Sequence, residues 1–350
     1  MTYSLKQKLG GIVYDLPRFL WSMRPSSRYP WVFMRNRDER LIVDGSGVGA
    51  QCNWQWTSDL HITKVFPVLG RTLMMRALRE WPIGFRAEPL RRDENAQVSF
   101  VIGHRGMERL PHLLLTLQSI AAQHEVSLEC IVVEQSASPE VKEHLPAWVR
   151  YVHTALGYAD MPYSRAWAFN VGARMAESAL LVLHDNDMVV PADYGREIIE
   201  RVREGYEVIN LKRFIFYLTE AHSAAVLSGE ESLSVRPPET VVQNLEAGGS
   251  LAITREAYFA IGGLDEAFVG WGGEDNEFWE RAGTRRVWPH AYLPIVHLWH
   301  QAQPQKAEAN NPNQQRYQER SSSPVEERIR ELTVSNFGSA RSVEEGAPRG

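Results

Sequence analysis

The sequence predicts an α/β fold built on a mostly parallel central sheet flanked by helices, with an extension ahead of it and a polar tail behind. Three observations carry this. From Gln97 onward, short apolar runs alternate with segments of helical periodicity, the order expected when parallel strands are covered by helices on both faces. The runs VSFVI at 98–102 and LLVLH at 180–184 are almost wholly apolar, as strands buried on both faces are. Each run gives way to polar or charged residues, and ligands of such sheets bind at the carboxyl ends of strands.

Residues 1–96 form the extension. Within it Leu9–Met23 is apolar and aromatic but interrupted by Gly10, Gly11 and Pro17, which reads as a short amphipathic segment. Packing on the body accounts for it better than contact with a membrane surface. Val65–Glu80 carries apolar residues at helical spacing after Gly70, so a helix is expected from there. The rest of the extension shows no readable chemistry.

The alternating part covers 97–303. Strands are expected at Val98–Ile102, Leu128–Val133, Val149–His153 and Leu180–His184. Helices are expected at Leu110–Gln123, Pro139–Leu145, Tyr163–Glu177 and Ala192–Val202, and a further strand around Glu207–Leu211. Ser223–Val241, with Pro237 and Pro238, reads as a loop and a candidate mobile lid. Gly248-Gly249-Ser250 opens a strand at Leu251–Ile253, and Thr254 caps a helix with Glu256 and Ala257 in its first turn. Asn276–Glu280 looks helical, and Val287–His300 reads as short strands ending in HLWH. Residues 304–350 are rich in Gln, Asn, Glu, Ser and Pro and are expected to be largely disordered.

Composition narrows the function. A 44% hydrophobic and 23% charged chain of 350 residues is ordinary for a soluble globular protein. A formal charge of -5 argues against a general nucleic-acid binder. No apolar run approaches the roughly 20 residues that cross a bilayer, and no signal-peptide pattern is seen. A cytoplasmic protein is expected, at most peripheral at the inner face of the membrane. Cys52 and Cys130 lie far apart and indicate a reduced compartment rather than a disulfide framework. The 11 tryptophans suit a carbohydrate-handling protein, although core packing explains most such rings.

Candidate site residues stand just past the strands: His104 and Arg105, Glu134, and Asp185-Asn186-Asp187. In extended chain the two aspartates of a DxD share a side, and together they repel unless a cation neutralises them. The bland alternative is an Asx turn with a solvated acid pair. His297 and His300 can converge on one metal if the chain turns between them, whereas on a straight strand they point apart. The segment GWGGEDNEF at 270–278 combines flexible glycines, the flat face of Trp271 and two acids, Glu274 and Asp275, in the first turn of a helix. A carboxylate beside such a face can accept a proton from a sugar hydroxyl. Alone, the same segment also reads as a glycine turn with an acidic helix cap.

Taken together, the segments from Val98 to about Tyr317 resemble GT-A glycosyltransferases, and more narrowly the β-1,4-galactosyltransferase family with its bacterial family-2-like relatives. Tyr163-Ser-Arg165 with Asn170-Val-Gly172 is similar to the family's FNR…NVG helix, and HDNDMVVP at 184–191 to its DVD segment. GGSLAIT at 248–254, with Gly249, is similar to its FGGVSAL strand; GWGGEDNEF is nearly its GWGGEDDD; NPNQQRY at 311–317 is similar to its NPQRF. The resemblance implies inverting transfer from a UDP-sugar donor to a hydroxyl of a glycan or glycolipid acceptor, with Mn2+ or Mg2+. Asp275 would be the general base and Glu274 would help hold the acceptor. By the resemblance His104, Arg105, Arg165 and Trp271 would lie at the nucleotide sugar, and Asp187 and His300 at the metal with His297 in the place of its third ligand; Glu134, Asp185, Asp187 and Gly249 are expected at the nucleotide sugar as well. The family has a methionine where His297 stands, which makes this ligand set harder and more basic.

The expected function is a metal-dependent transferase moving a hexose or N-acetylhexosamine, in polysaccharide or glycolipid assembly. The alternatives are a non-catalytic sugar-nucleotide or glycan-binding module and a metal-dependent hydrolase.

Overall fold

Val98–His104 (β1) is buried along its whole length, as its unbroken apolar run requires of a strand covered on both faces. The computed structural model to which it belongs describes residues 3–24, 30–37, 39, 49–51, 57–90, 95–243, 247–302 and 311–340. Cys52 and parts of the tail lie outside that set. Leu128–Gln135 (β2) runs parallel to β1 on one side, with Arg150–Thr154 (β3) parallel beyond it. Leu180–His184 (β4) runs parallel to β1 on the other side. Val208–Ile209 (β5) and Ser250–Thr254 (β6) complete the order β3-β2-β1-β4-β6-β5 among the described residues. The expected parallel sheet is therefore present, with β6 reversed against both of its neighbours.

The strand order has a functional consequence. β1, β2 and β3 step outward in one direction, then the chain returns to place β4 on the opposite flank of β1. Such a reversal opens a crevice at the carboxyl ends of β1 and β4, where the following loops diverge.

Helices cover the sheet. Pro67–Glu80 (α1) starts before the expected Gly70, because Pro67 at the first turn brings a fixed φ and no N–H to leave unpaired. Leu110–Ala121 (α2) follows β1. Arg165–Met175 (α3) is capped by Ser164, whose side chain accepts from the Trp167 N–H. Two residues seat α3. A Cβ at Gly172 would lie 2.2 Å from Val101 Cγ1, so only glycine lets the helix settle this closely on β1. Buried Asn170 donates to the Leu264 carbonyl and to Glu266, and accepts from the Leu264 N–H at 2.9 Å. The helix is thus held to the sheet on one side and to the 264–266 loop on the other.

A second sheet lies beside the first, in the order Ser58–Asp59, Thr240–Gln243, Lys212–Tyr217, Leu293–His297, Met188–Val189. Leu293–His297 is antiparallel to Met188–Val189, and His297 pairs with Met188.

Several local expectations change. Pro139–Leu145 contains only a tight turn at Lys142–His144. The reason is that the Glu134 carboxylate accepts from the N–H groups of Glu140 and Val141, which pins the chain in an irregular path. Ser223–Val241 is not a single open loop. Its start belongs to the helix Glu220–Leu227, capped by Thr219, and its end to the strand Thr240–Gln243. Ser223 Oγ also accepts from the Trp299 N–H at 2.6 Å, and His222 bonds to the Ser232 carbonyl at 3.0 Å, so the segment is tied to the body rather than poised as a lid. The strand Lys212–Tyr217 went unread because it opens on two charges. Both are buried: Lys212 donates to the Ser250 carbonyl and Arg213 to the carbonyls of Val32 and Met34.

The tail corrects another expectation. Instead of general disorder it contains Pro312–Ser321 and Val325–Thr333, which pack against the helix Glu274–Ala282 (α4). Arg281 and Glu277 on α4 form a fully buried pair at 2.6 Å, and Arg328 of the tail joins Glu277 at 3.2 Å. The charge pattern that makes the tail look solvated in sequence is partly consumed by these pairs. Leu5–Ser22 is helical throughout, with one wide turn at Gly11–Asp15.

Gly172→Ala drives a methyl into Val101. It should lower stability by about 1–3 kcal/mol, read as an earlier urea midpoint at unchanged slope.

Candidate active site

The crevice receives four elements: the loop after β4, the first turn of α3, the first turn of α4 and the end of the strand Leu293–His297. The β6 edge fixes the first of these. The Asp185 N–H donates to the Gly249 carbonyl at 2.8 Å, and the Leu298 N–H donates to the Asp187 carbonyl at 2.9 Å. The DxD segment is therefore held at both ends by backbone bonds from the two sheets, and its side chains can point into the crevice.

Asp187 faces the second sheet. Its carboxylate lies 3.2 Å from His300 Nε2 and 3.7 Å from His297 Nε2. The ligand atoms of Asp187, His297 and His300 all lie within 4.8 Å of one another. His297 is the last residue of its strand, so the chain turns before His300 and both rings reach the same side. Tyr217 stacks on His297 with ring centroids 4.2 Å apart and holds it in place. Burial alone would raise the Asp187 pKa, but His297, His300 and Arg109 hold the carboxyl well below the usual carboxylate range. One carboxylate and two imidazoles form a donor set that fits a transition cation such as Mn2+ better than Mg2+, which prefers oxygen alone.

Asp185 faces the other way. Arg165 Nε donates to it at 2.7 Å, and Arg165 Nη1 donates to Asp275 at the start of α4. Glu274 lies 3.8 Å from the same guanidinium, which also stacks over Phe169 at 4.5 Å. Burial opposes the Arg165 charge, but three carboxylates raise its pKa well above the ordinary value. Burial pushes the Asp185 pKa up to about 6 even beside Arg165, with help from Asp187 and Asp275. Burial, then Asp275, pushes Glu274 up to about 7. Arg165 Nη2 and Glu274 Oε2 are buried and have no hydrogen-bond partner among the described residues. A donor and an acceptor left in this state beside a crevice are places for ligand oxygens.

The GWGG loop leads into α4. Gly270, Gly272 and Gly273 have φ of 87°, 104° and 82°, a region that side-chain-bearing residues avoid. This sharp path leaves Trp271 40% exposed and delivers Glu274 and Asp275 to the head of α4. The tail clamps the loop from outside. Asn311 donates to the Trp271 carbonyl at 2.9 Å and Asn313 to the Val269 carbonyl at 3.0 Å.

The remaining sequence candidates are placed as supports. His104 ends β1 fully buried, with Nδ1 2.8 Å from Asn186 Nδ2 and Nε2 3.1 Å from the Gly106 carbonyl. Burial pushes its pKa down to about 4, so it is neutral and steadies the DxD loop from behind. Arg105 bonds to Gln135 and to the Met161 carbonyl, at 2.6–2.7 Å. Glu134, inside β2 rather than beyond it, is saturated by Tyr151, Ser136 and backbone N–H groups. Gly249, at φ 81°, lies close under Met188, where a Cβ would meet the Met188 methyl at 2.8 Å.

Arg109 escaped the sequence reading. It stands in the turn Met107–Arg109 after β1 and donates to Asp187 and, at 3.1 Å, to Asn186. The signal was available: a basic residue within one turn of the carboxyl end of β1, opposite a DxD. Asn311 and Asn313 were visible only through the NPNQQRY resemblance.

Comparison with known proteins bears on these elements. A family model described as the N-terminal domain of galactosyltransferase matches residues 242–288, the stretch holding the GGS strand and the GWGGED helix. β-1,4-Galactosyltransferase 5 of Danio rerio is 28% identical over 179 residues, covering 44% of this chain and 41% of that protein. The chain thus spans about two fifths of the length of that curated relative. The catalytic domain of Drosophila β1,4-galactosyltransferase 7, solved with xylobiose, aligns at 16% identity over 56% of this chain and 64% of that one. Its TM-score of 0.31 is too low to define a shared geometry. The matched segment contains the GWGG loop and the start of α4, and over it the chain is similar to galactosyltransferases.

Proposed function

We propose that the chain is a metal-dependent inverting glycosyltransferase that moves a hexose or N-acetylhexosamine from a UDP-sugar to a hydroxyl of a glycan or glycolipid. The observation that carries this reading is the contact of one guanidinium, Arg165, with Asp185 of the DxD and with Asp275 of GWGGED. That contact brings the donor-side loop and the acceptor-side helix to a common point. The Asp187, His297 and His300 cluster lies on the other side of the DxD.

In this reading Asp187, His297 and His300 hold a divalent cation, with Arg109 yielding Asp187 to it. When bound, the cation neutralises charge on the departing diphosphate. Arg165, through Nη2, and Arg109, once released, are the side chains that can donate to the same diphosphate. Trp271 presents a ring face to a sugar. Glu274 orients the acceptor and, where protonated, donates to an acceptor oxygen. Asp275 takes the proton from the attacking hydroxyl as the bond to the anomeric carbon forms and the nucleoside diphosphate leaves opposite. Arg165 holds Asp275 in place through its Nη1.

Three outcomes test the reading. UDP release should require Mn2+ and an acceptor across a panel of UDP-hexoses and UDP-N-acetylhexosamines. Asp275→Asn should lower kcat by about 10²–10⁴-fold with donor binding retained. Full rate in that variant removes the base assignment. Donor binding without turnover on any acceptor points instead to a binding module, and sugar release without acceptor at the same rate points to a hydrolase.

Mn2+ should raise the melting temperature of the wild type. His300→Ala should weaken that response by about 10–100-fold in metal concentration. An unchanged response places the metal elsewhere.

The pH profile has a defined sign. Glu274 has a folded pKa raised from 4.5 to about 7, so its stability contribution is full below pH 4.5 and is lost as pH rises through 7. Between about pH 5 and pH 8 the wild type should lose up to about 3 kcal/mol relative to Glu274→Gln. Asp185, raised in the same direction, is present in both proteins. Parallel melting curves for the two proteins across this range would show that Glu274 is not held protonated.

A further inference from the structure

The Leu5–Ser22 helix divides into two faces. Gly11, Asp15, Phe19 and Ser22 are buried against the body, and a Cβ at Gly11 would lie 3.1 Å from the Phe66 ring. Asp15 is the only acid in the helix, and it turns inward to pair with Arg37 at 2.7 Å. Arg18 is likewise engaged, with the Arg35 and Asn36 carbonyls. The other face is apolar and open. Leu5 is 74% exposed, Leu9 52%, Ile12 45%, Val13 60% and Leu20 59%, spaced so that they fall along one stripe. Trp21 and Tyr14, also exposed, flank it with rings that suit a boundary between water and lipid. Lys6 and Lys8 are exposed beside the stripe.

From this we infer that the outer face of Leu5–Ser22 is a docking surface for an anionic lipid bilayer, on which the helix lies in the interfacial plane. Burial of the inner face fixes which side chains point outward, so no refolding is needed for the stripe to enter the headgroup region. The charges select the occupant. Exposed lysines with no outward carboxylate on the helix are drawn to anionic headgroups, whereas pairing two copies of this face would set like charges together. The amphipathic segment expected to pack on the body does so with one side only. Its other side has the composition of a membrane-surface helix. This surface is independent of the transfer reaction proposed above.

The test is co-sedimentation of the full chain with vesicles of phosphatidylcholine alone or mixed with phosphatidylglycerol. The wild type should pellet with the anionic vesicles and much less with the neutral ones. Leu9→Glu with Val13→Glu should reduce that binding by about tenfold or more with no change in melting temperature, because both side chains are exposed. Lys6→Glu with Lys8→Glu should reduce binding to the anionic vesicles selectively. The inference is overturned if the wild type shows no preference for phosphatidylglycerol, or if the Leu9/Val13 variant binds as the wild type does. It is also overturned if the wild type is a dimer by light scattering, binds no vesicles, and becomes monomeric in that variant. The face would then belong to a second copy.

Discussion

A guanidinium buried among three carboxylates is the interaction on which the rest of the site depends. Arg165 meets Asp185 after β4 and the neighbouring Glu274 and Asp275 at the head of α4, two segments far apart in the chain. Without the guanidinium, three partly buried acids would face one another, and their repulsion would push the DxD loop and α4 apart. With it, they form a cluster that is stable only if Arg165 is held in place. This is why the seating of α3 matters so much. Gly172 lets the helix press on β1, Asn170 anchors it to the 264–266 loop, and Phe169 supports the guanidinium from beneath. The motif residues of α3 are thus structural and electrostatic at once.

The cluster also divides the site. Asp187 is surrounded by His297, His300 and Arg109 and is held ionised, while Asp185 and Glu274 are pushed toward the neutral form by burial and by neighbouring acids. Carboxylates within one crevice are therefore tuned in opposite directions by their surroundings. The separation arises from geometry: Asp187 points toward the second sheet, where two imidazoles end a strand, and Asp185 points toward α3. Along the DxD the two acids meet different protein neighbours, Asp187 the imidazoles of His297 and His300 and Asp185 the guanidinium of Arg165.

The tail braces the GWGG loop and α4. Asn311 and Asn313 hold the carbonyls of the GWGG loop, and Arg328 ties α4 to the last helix through Glu277. A loop with three left-handed glycines has more conformational freedom than any other segment of the site, and external hydrogen bonds restrict it.

The sequence by itself determined the four strands between Val98 and His184, the buried character of β1 and β4, and the positions of the acids and histidines. Those follow from local periodicity and from residue chemistry, which a linear pattern carries. It also pointed to the segment that the galactosyltransferase family model matches. Only the tertiary structure decided which candidates face the crevice. His104, Arg105 and Glu134 look equivalent to Asp187 in sequence, as polar residues near a strand end, yet their groups are engaged by Asn186, Gln135 and Tyr151. Lys212–Tyr217 and the tail helices were hidden because charged residues read as solvated until a buried partner is known. Arg109, one turn past β1, meets Asp187 because strand order sets β1 beside β4. Contacts between residues far apart in sequence depend on register and on strand neighbours, and no local pattern encodes them.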